Sequence, residues 1–224
     1  MLQSEFITSS IGKKIVIAVT GLFLFGFVIG HLAGNLLIFA GPDALNSYAR
    51  KLRDLAPLVW SARFVLLASV VFHIWTSILL TIENRAARPI GYEVRKTIQT
   101  SIAARTMMLS GLVILAFIIY HLLHFTFRVT HPEISHLTDS LGRHDVYSMV
   151  VLSFQKVYIS AVYGIAMTLL CLHLAHGASS WLQTLGWNNE RTQPLFVRIS
   201  AAVSLLILIG YVSIPISVLC GVVK

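Results

Sequence analysis

Residues 15–40 read IVIAVTGLFLFGFVIGHLAGNLLIFA, an apolar run with no charged side chain. A helix needs roughly 20 such residues to cross the hydrocarbon core of a bilayer, so this run reads as a membrane span. It exceeds the apolar core of a signal peptide, and Gly41-Pro42-Asp43 ends it with turn chemistry. One residue does not belong there. His31 puts an ionisable ring inside the span, where such groups are costly and default to a functional reading.

The same pattern recurs four times, at about 59–82, 106–127, 157–182 and 199–222. The chain is 56% hydrophobic and 12% charged, with a mean hydropathy of +0.80. These values predict an all-α membrane protein, a five-span bundle forming one domain over residues 1–224. The net charge of +8 is assigned to loop Lys and Arg that set topology and meet anionic lipid. No basic stripe lies outside the loops, which argues against nucleic-acid binding. Lys and Arg divide almost evenly between the two faces, and the Lys13-Lys14 pair tips the N-terminus toward the cytoplasm. Cys171 and Cys220 both fall inside spans and form no disulfide framework.

Between the first two spans, Ala44–Leu58 reads as an interfacial helix, with Tyr48, Leu52 and Leu55 at helical spacing. Arg88-Pro89 marks a turn after the second span, and Arg95, Lys96 and Arg105 populate the connection to the third. Arg128 to Lys156 reads as a long polar loop, and Gly210 and Pro215 would kink the fifth span.

Three more spans carry a histidine: His73, His121 and His173. His31 lies 18 residues after Lys13 and His121 lies 16 after Arg105. Both therefore sit roughly 24–27 Å from the same membrane face at about 1.5 Å per residue. His73 lies 10 residues before Glu83 and His173 lies 10 before Gln183, which puts both roughly 15 Å from that face. Depth sorts the four into His31/His121 and His73/His173, about 10 Å apart along the normal. Two bis-imidazole haems need this ligand set, and such low-spin haems have no open iron position. The competing reading is four buried, hydrogen-bonded histidines. It must absorb four separate desolvation costs at paired depths. No C-x-x-C-H motif is present, so the haems would be non-covalent b haems.

His124 and His176 each follow a candidate by three residues and share roughly its face. Depth favours His121 and His173 by about one turn, which leaves His124 and His176 as propionate or quinone contacts. Gly26, Gly30 and Gly34 form a ridge on the first span. The ridge suits close helix packing and also the approach of a haem plane beside His31. Gly177, four residues after His173, could do the same.

At these residues the chain resembles a known family, the five-helix dihaem cytochrome b subunits of succinate:menaquinone oxidoreductase and quinol:fumarate reductase. The matching strings are Ser9-Ser10-Ile11-Gly12-Lys13-Lys14, Gly30-His31-Leu32 through Asn46-Ser47-Tyr48-Ala49, and Phe72-His73-Ile74-Trp75. They continue with Glu83-Asn84-Arg85-Ala86-Ala87-Arg88-Pro89 and Arg105-Thr106-Met107 through Tyr120-His121-Leu122-Leu123-His124-Phe125. The last is His173-Leu174-Ala175-His176-Gly177 through Gln183-Thr184-Leu185-Gly186. The resemblance spans essentially the whole chain, and the family's H-x-x-x-G pattern falls on His173 and Gly177.

The resemblance implies that His31 and His121 hold a haem distal from the soluble subunits, and that His73 and His173 hold a proximal one. It implies a flavoprotein subunit that handles succinate and fumarate, and an iron–sulfur subunit that relays electrons to the proximal haem. This chain would exchange them with menaquinone in a bacterial or archaeal cytoplasmic membrane. A dimer of such heterotrimers is compatible with it. One branch of the family has a proton-carrying glutamate two residues before the fourth-span ligand; here that position is Cys171, which puts that proton route in doubt.

Quinone chemistry needs a proton donor near the haem edge. Asp54, in the segment leading into the second span, is the candidate, with a solvated surface charge as the alternative. Arg63 and Arg105 are candidate propionate partners, although Arg63 could also pair with Asp54 or snorkel to the interface. Two rival functions remain at this point. One is a cytochrome b subunit of another complex, as in formate dehydrogenase or hydrogenase. The other is a metal or proton transporter that uses intramembrane histidines.

Overall fold

In a computed structural model, the structure describes residues 9–87 and 102–224. The Arg88-Pro89 turn and the basic residues Arg95 and Lys96 lie outside the described residues. Among the described residues there is no strand, only an isolated bridge between Thr138 and His144. In chain order, α1 is Ser10–Asn35, running on as a 3-10 segment over Leu36–Ala40. Then come α2 (Pro42–Asp54), α3 (Ala56–Ala86) and α4 (Ile102–His121), which widens into a π turn over Leu122–Thr126. The short α5 (Pro132–Ser135), α6 (Val146–Phe154), α7 (Val157–Thr184) and α8 (Gln193–Leu219) complete the chain.

Among the described residues, five stretches are long and apolar enough to cross a membrane: Ser10–Ala40, Ala56–Ala86, Arg105–Thr126, Val157–Thr184 and Gln193–Leu219. This is the layout of a multi-pass membrane protein, in which a helix satisfies most of its backbone groups within itself. The helices overrun the apolar runs because caps and ion pairs, rather than hydropathy, set their ends. The Ser9 hydroxyl accepts from the Gly12 N–H at 3.0 Å and starts α1 ahead of its lysines. Lys13 is buried and forms an ion pair with Glu83 of α3.

Two expectations about the connections change. The interfacial helix begins at Pro42, not Ala44, and stops at Asp54. Pro57 has no N–H and crowds the preceding turn, so the chain bends at Leu55 and α3 begins at Ala56. The stretch from Arg128 to Lys156 is no open loop. Asp145 caps α6 by accepting from the Ser148 N–H at 3.0 Å, and α6 buries Tyr147, Met149, Val151 and Phe154. Asn46 of α2, 1% exposed, donates to Asp139 and Asp145 and accepts from the Tyr147 N–H. Arg143 bonds Asp43, Ser47 and Asp139. The segment is thereby fastened over α2 at one end of the bundle. Burial raises the pKa of Asp139, but hydrogen bonds from Arg143, Leu141 and Asn46 outweigh it and hold the carboxyl below its ordinary value.

Pro215 lies within the continuous α8. Gly210 marks a close approach, since a Cβ there would come within 2.9 Å of Leu32 on α1. Gly34 does the same for α2, where a Cβ would meet the Tyr48 ring at 2.8 Å. Helix α7 packs most extensively on α8, and also on α4 and α1. Helix α3 leans on α1 and, near its start, on α2, and among the described residues it makes little contact with α4 or α7. A cavity of about 2080 Å³ opens where that contact is missing.

Candidate functional site

All four span histidines line this cavity, and they meet in two pairs. His31 on α1 and His121 on α4 have ring centroids 5.8 Å apart and planes at 85°. His73 on α3 and His173 on α7 are 6.4 Å apart at 59°. These are the pairs that depth along the helices sorts out. A metal bonded to one nitrogen of each ring at about 2.0 Å separates facing imidazole centroids by roughly 6 Å. Both pairs meet that requirement. Ligand pockets usually enclose about 300–1,000 Å³, so this cavity has room for two large cofactors.

One nitrogen of each ring of the second pair meets a hydroxyl. His73 Nδ1 lies 3.1 Å from Thr20 Oγ1, and His173 Nδ1 lies 3.1 Å from Ser110 Oγ. The Thr20 hydroxyl donates its hydrogen to the Val16 carbonyl at 2.6 Å, and Ser110 donates to Met107 at 3.1 Å. A hydroxyl that donates to its own helix is left to accept, which favours histidines protonated on Nδ1 and bare on Nε2. Metal-binding histidines commonly have such an outer partner fixing the tautomer. Gly21 and Gly111 follow these hydroxyls, and a Cβ on them would lie 3.3 Å from His73 Cε1 and 3.6 Å from His173 Cε1. Small residues let the rings stand against the facing helices.

The residues fit haem in further respects. Gly30 and Gly177 line the cavity with nothing within 4 Å of an added Cβ, which leaves room for a flat ligand. The Trp181 Nε1–H is a buried donor without a partner among the described residues, and Trp181 lines the cavity together with Lys14, Gln183 and His176. These donors at the His73/His173 end could receive a carboxylate.

His124 and His176 have separate fates. His124 is 0% exposed, with Nδ1 3.0 Å from the Tyr163 hydroxyl and Nε2 3.1 Å from Ser153 Oγ. The π turn that begins after His121 carries His124 toward α6 and α7, and neither ring nitrogen is left for a ligand. His176 lines the cavity one turn beyond His173. Arg63 also lines it, its guanidinium 5.0 Å over the Trp60 ring. Arg105 is exposed and away from the cavity lining. Asp54 sits at the end of α2, its side chain 68% exposed and 4.0 Å from Arg50. It borders a separate polar pocket of about 210 Å³ with Arg53, Arg143 and His144. Cys171 is buried in an apolar cluster with Leu32 and Ile207.

Thr20, Ser110 and Tyr163 were not singled out from the sequence, yet the first two carry a signal there. Thr20-Gly21 precedes His31 by the same interval as Ser110-Gly111 precedes His121 (31 − 20 and 121 − 110, both 11). That is about three helical turns, so each hydroxyl shares a face with its downstream histidine. Comparison of the chain with protein-family models, with curated proteins and with solved structures finds no match in any of the three.

Proposed function

We propose that the chain is a dihaem cytochrome b, the membrane-anchor subunit of a succinate:menaquinone oxidoreductase or quinol:fumarate reductase. The observation that carries this reading is the pair of cross-helix imidazole contacts, His31–His121 at 5.8 Å and His73–His173 at 6.4 Å, inside one apolar-walled cavity. The complex named here follows from the sequence resemblance, and the geometry supports the haem part of it. Iron held between two imidazoles transfers single electrons and offers no position for an exogenous ligand. Thr20 and Ser110 hold the His73 and His173 rings in the ligating tautomer. The apolar walls limit water around the site, which tunes the potential of a bound metal.

In this reading electrons pass between an iron–sulfur subunit and the His73/His173 end, and dicarboxylate chemistry stays on a flavoprotein subunit. Menaquinone takes up or gives back electrons at the other end, with Asp54 as the proton donor and Arg63 as a contact inside the cavity, while His176 is a propionate contact at the His73/His173 end. The membrane is a bacterial or archaeal cytoplasmic membrane, with the N-terminus on the cytoplasmic side.

The test is a pyridine haemochrome assay with a reduced-minus-oxidised spectrum of the purified chain. Two b haems per chain, with sharp low-spin bands, are expected. A fully loaded preparation with one haem overturns the dihaem assignment, and no b-type absorption at all points to the transporter class instead.

A further inference from the structure

Electron transfer between two haems makes no use of His124, although this histidine is fully buried and both its nitrogens are engaged. The directions of its hydrogen bonds follow from counting hydrogens. Ser153 Oγ lies 2.6 Å from the Met149 carbonyl, which can only accept, so the single Ser153 hydrogen goes there. Ser153 must then accept from His124 Nε2, which carries a proton. Among the described residues no carboxylate lies against the buried His124, and the neutral ring is the form that avoids an unpaired buried charge. A neutral imidazole has one N–H, so its Nδ1 is bare and accepts from the Tyr163 hydroxyl at 3.0 Å. Tyr163 has no second hydrogen. Toward His121 Nδ1, at 3.4 Å and the longest link, its oxygen can only accept.

The Nδ1 proton of His121 is thus fixed by a chain that ends on a backbone carbonyl four groups away. Thr20 and Ser110 reach the same result for His73 and His173 in one step. We propose that Tyr163 and His124 are positioning residues for His121, with His124 acting through Tyr163 to hold His121 protonated on Nδ1 and bare on Nε2, the nitrogen offered to the pair with His31. This rests on the dihaem reading for its consequence, while the tautomer itself can be tested without haem.

The experiment has two arms. In nitrogen-15 NMR of the haem-free chain in detergent, His121 is expected as the Nδ1–H form and His124 as the Nε2–H form. The opposite assignment at either ring overturns the proposal whether or not the chain binds haem. In the haem-loaded chain, Tyr163→Phe and His124→Phe are each expected to weaken retention of the haem lost in His121→Ala by about 10–100-fold. The midpoint potential of the other haem should not move. Because His124 works through Tyr163, the double variant should be no worse than the worse single one. His124→Gln supplies one acceptor and one donor, so it should restore most of the retention. Additive losses, equal disturbance of both haems, or failure of His124→Gln to improve on His124→Phe would assign His124 to packing alone.

Discussion

The imidazoles of His73 and His173 face each other from α3 and α7 with ring centroids 6.4 Å apart, yet these two helices have little other contact. The two helices thus meet through residues suited to bind something between them. Helix packing alone gives no reason to bring two desolvated rings together there.

Ligand pairing is the most direct consequence. His31→Ala and His121→Ala should remove the same spectral component, and His73→Ala and His173→Ala the other. Visible difference spectra of the four variants check this. Loss of one component in His31→Ala and of the other in His121→Ala would break the pairing.

The hydroxyl partners should matter at the other pair. Thr20→Val and Ser110→Ala each delete the acceptor for a histidine Nδ1–H. Retention of the haem assigned to His73 and His173 should weaken by about 10–100-fold, measured as haem loss to a scavenging apoprotein. Unchanged retention in both variants would mean the hydroxyls only cap their own helices.

The two glycines beside those hydroxyls should respond unequally. A Cβ at Gly21 would stand 3.3 Å from His73 Cε1, tighter than ordinary contact, whereas at Gly111 it would stand 3.6 Å from His173 Cε1. Gly21→Ala should displace its ring and broaden the spectral bands of that haem. Gly111→Ala should leave the spectrum as it is. Equal effects would show that the rings have slack that the distances deny.

Acid should loosen the segment fastened over α2. The Asp139 pKa is held below its ordinary value against the opposing effect of burial. Its stabilising contribution is therefore complete above the ordinary carboxylate value of about 3.9 and is lost as pH falls through the folded value. Asp139→Asn lacks the contribution at every pH. Its Tm deficit relative to wild type should be largest at neutral pH and shrink toward pH 3. A deficit independent of pH would remove the carboxylate from the account.

Asp54→Asn tests the quinone side. The haem spectra and dye-linked succinate oxidation in the assembled complex should be unchanged. The quinone-linked rate should fall by about 10²-fold if Asp54 supplies the proton. An unaltered quinone rate would fit the 68% exposure of this side chain and its neighbour Arg50 and leave it a surface charge.

The five spans and the two histidine pairs were legible because helix rise converts residue number into depth, and because the histidines interrupt runs in which Arg63 is the only Lys, Arg, Asp or Glu. The choice between His121 and His124 rested on a depth difference of only about one turn. An α-helical wheel puts both on roughly one face, and the π turn that separates them leaves no mark in hydropathy. Nor could periodicity find Tyr163 or Ser153, which reach His124 from α7 and α6. The α6 helix was read as loop because Arg128–Lys156 was judged by its polar flanks. Its apolar stretch from Val146 to Phe154 is too short for a span, yet it buries against the bundle end.

The one-sided attachment of α3 has a consequence for biogenesis. With α1 and the start of α2 as its main neighbours among the described residues, α3 is packed against the bundle along one side only. A ligand held jointly by His73 and His173 would supply the missing restraint, and its binding free energy would add directly to the stability of the bundle. Cells short of that ligand should accumulate chains in which α3 is the segment most open to quality-control proteolysis, so the level of assembled protein would track cofactor supply.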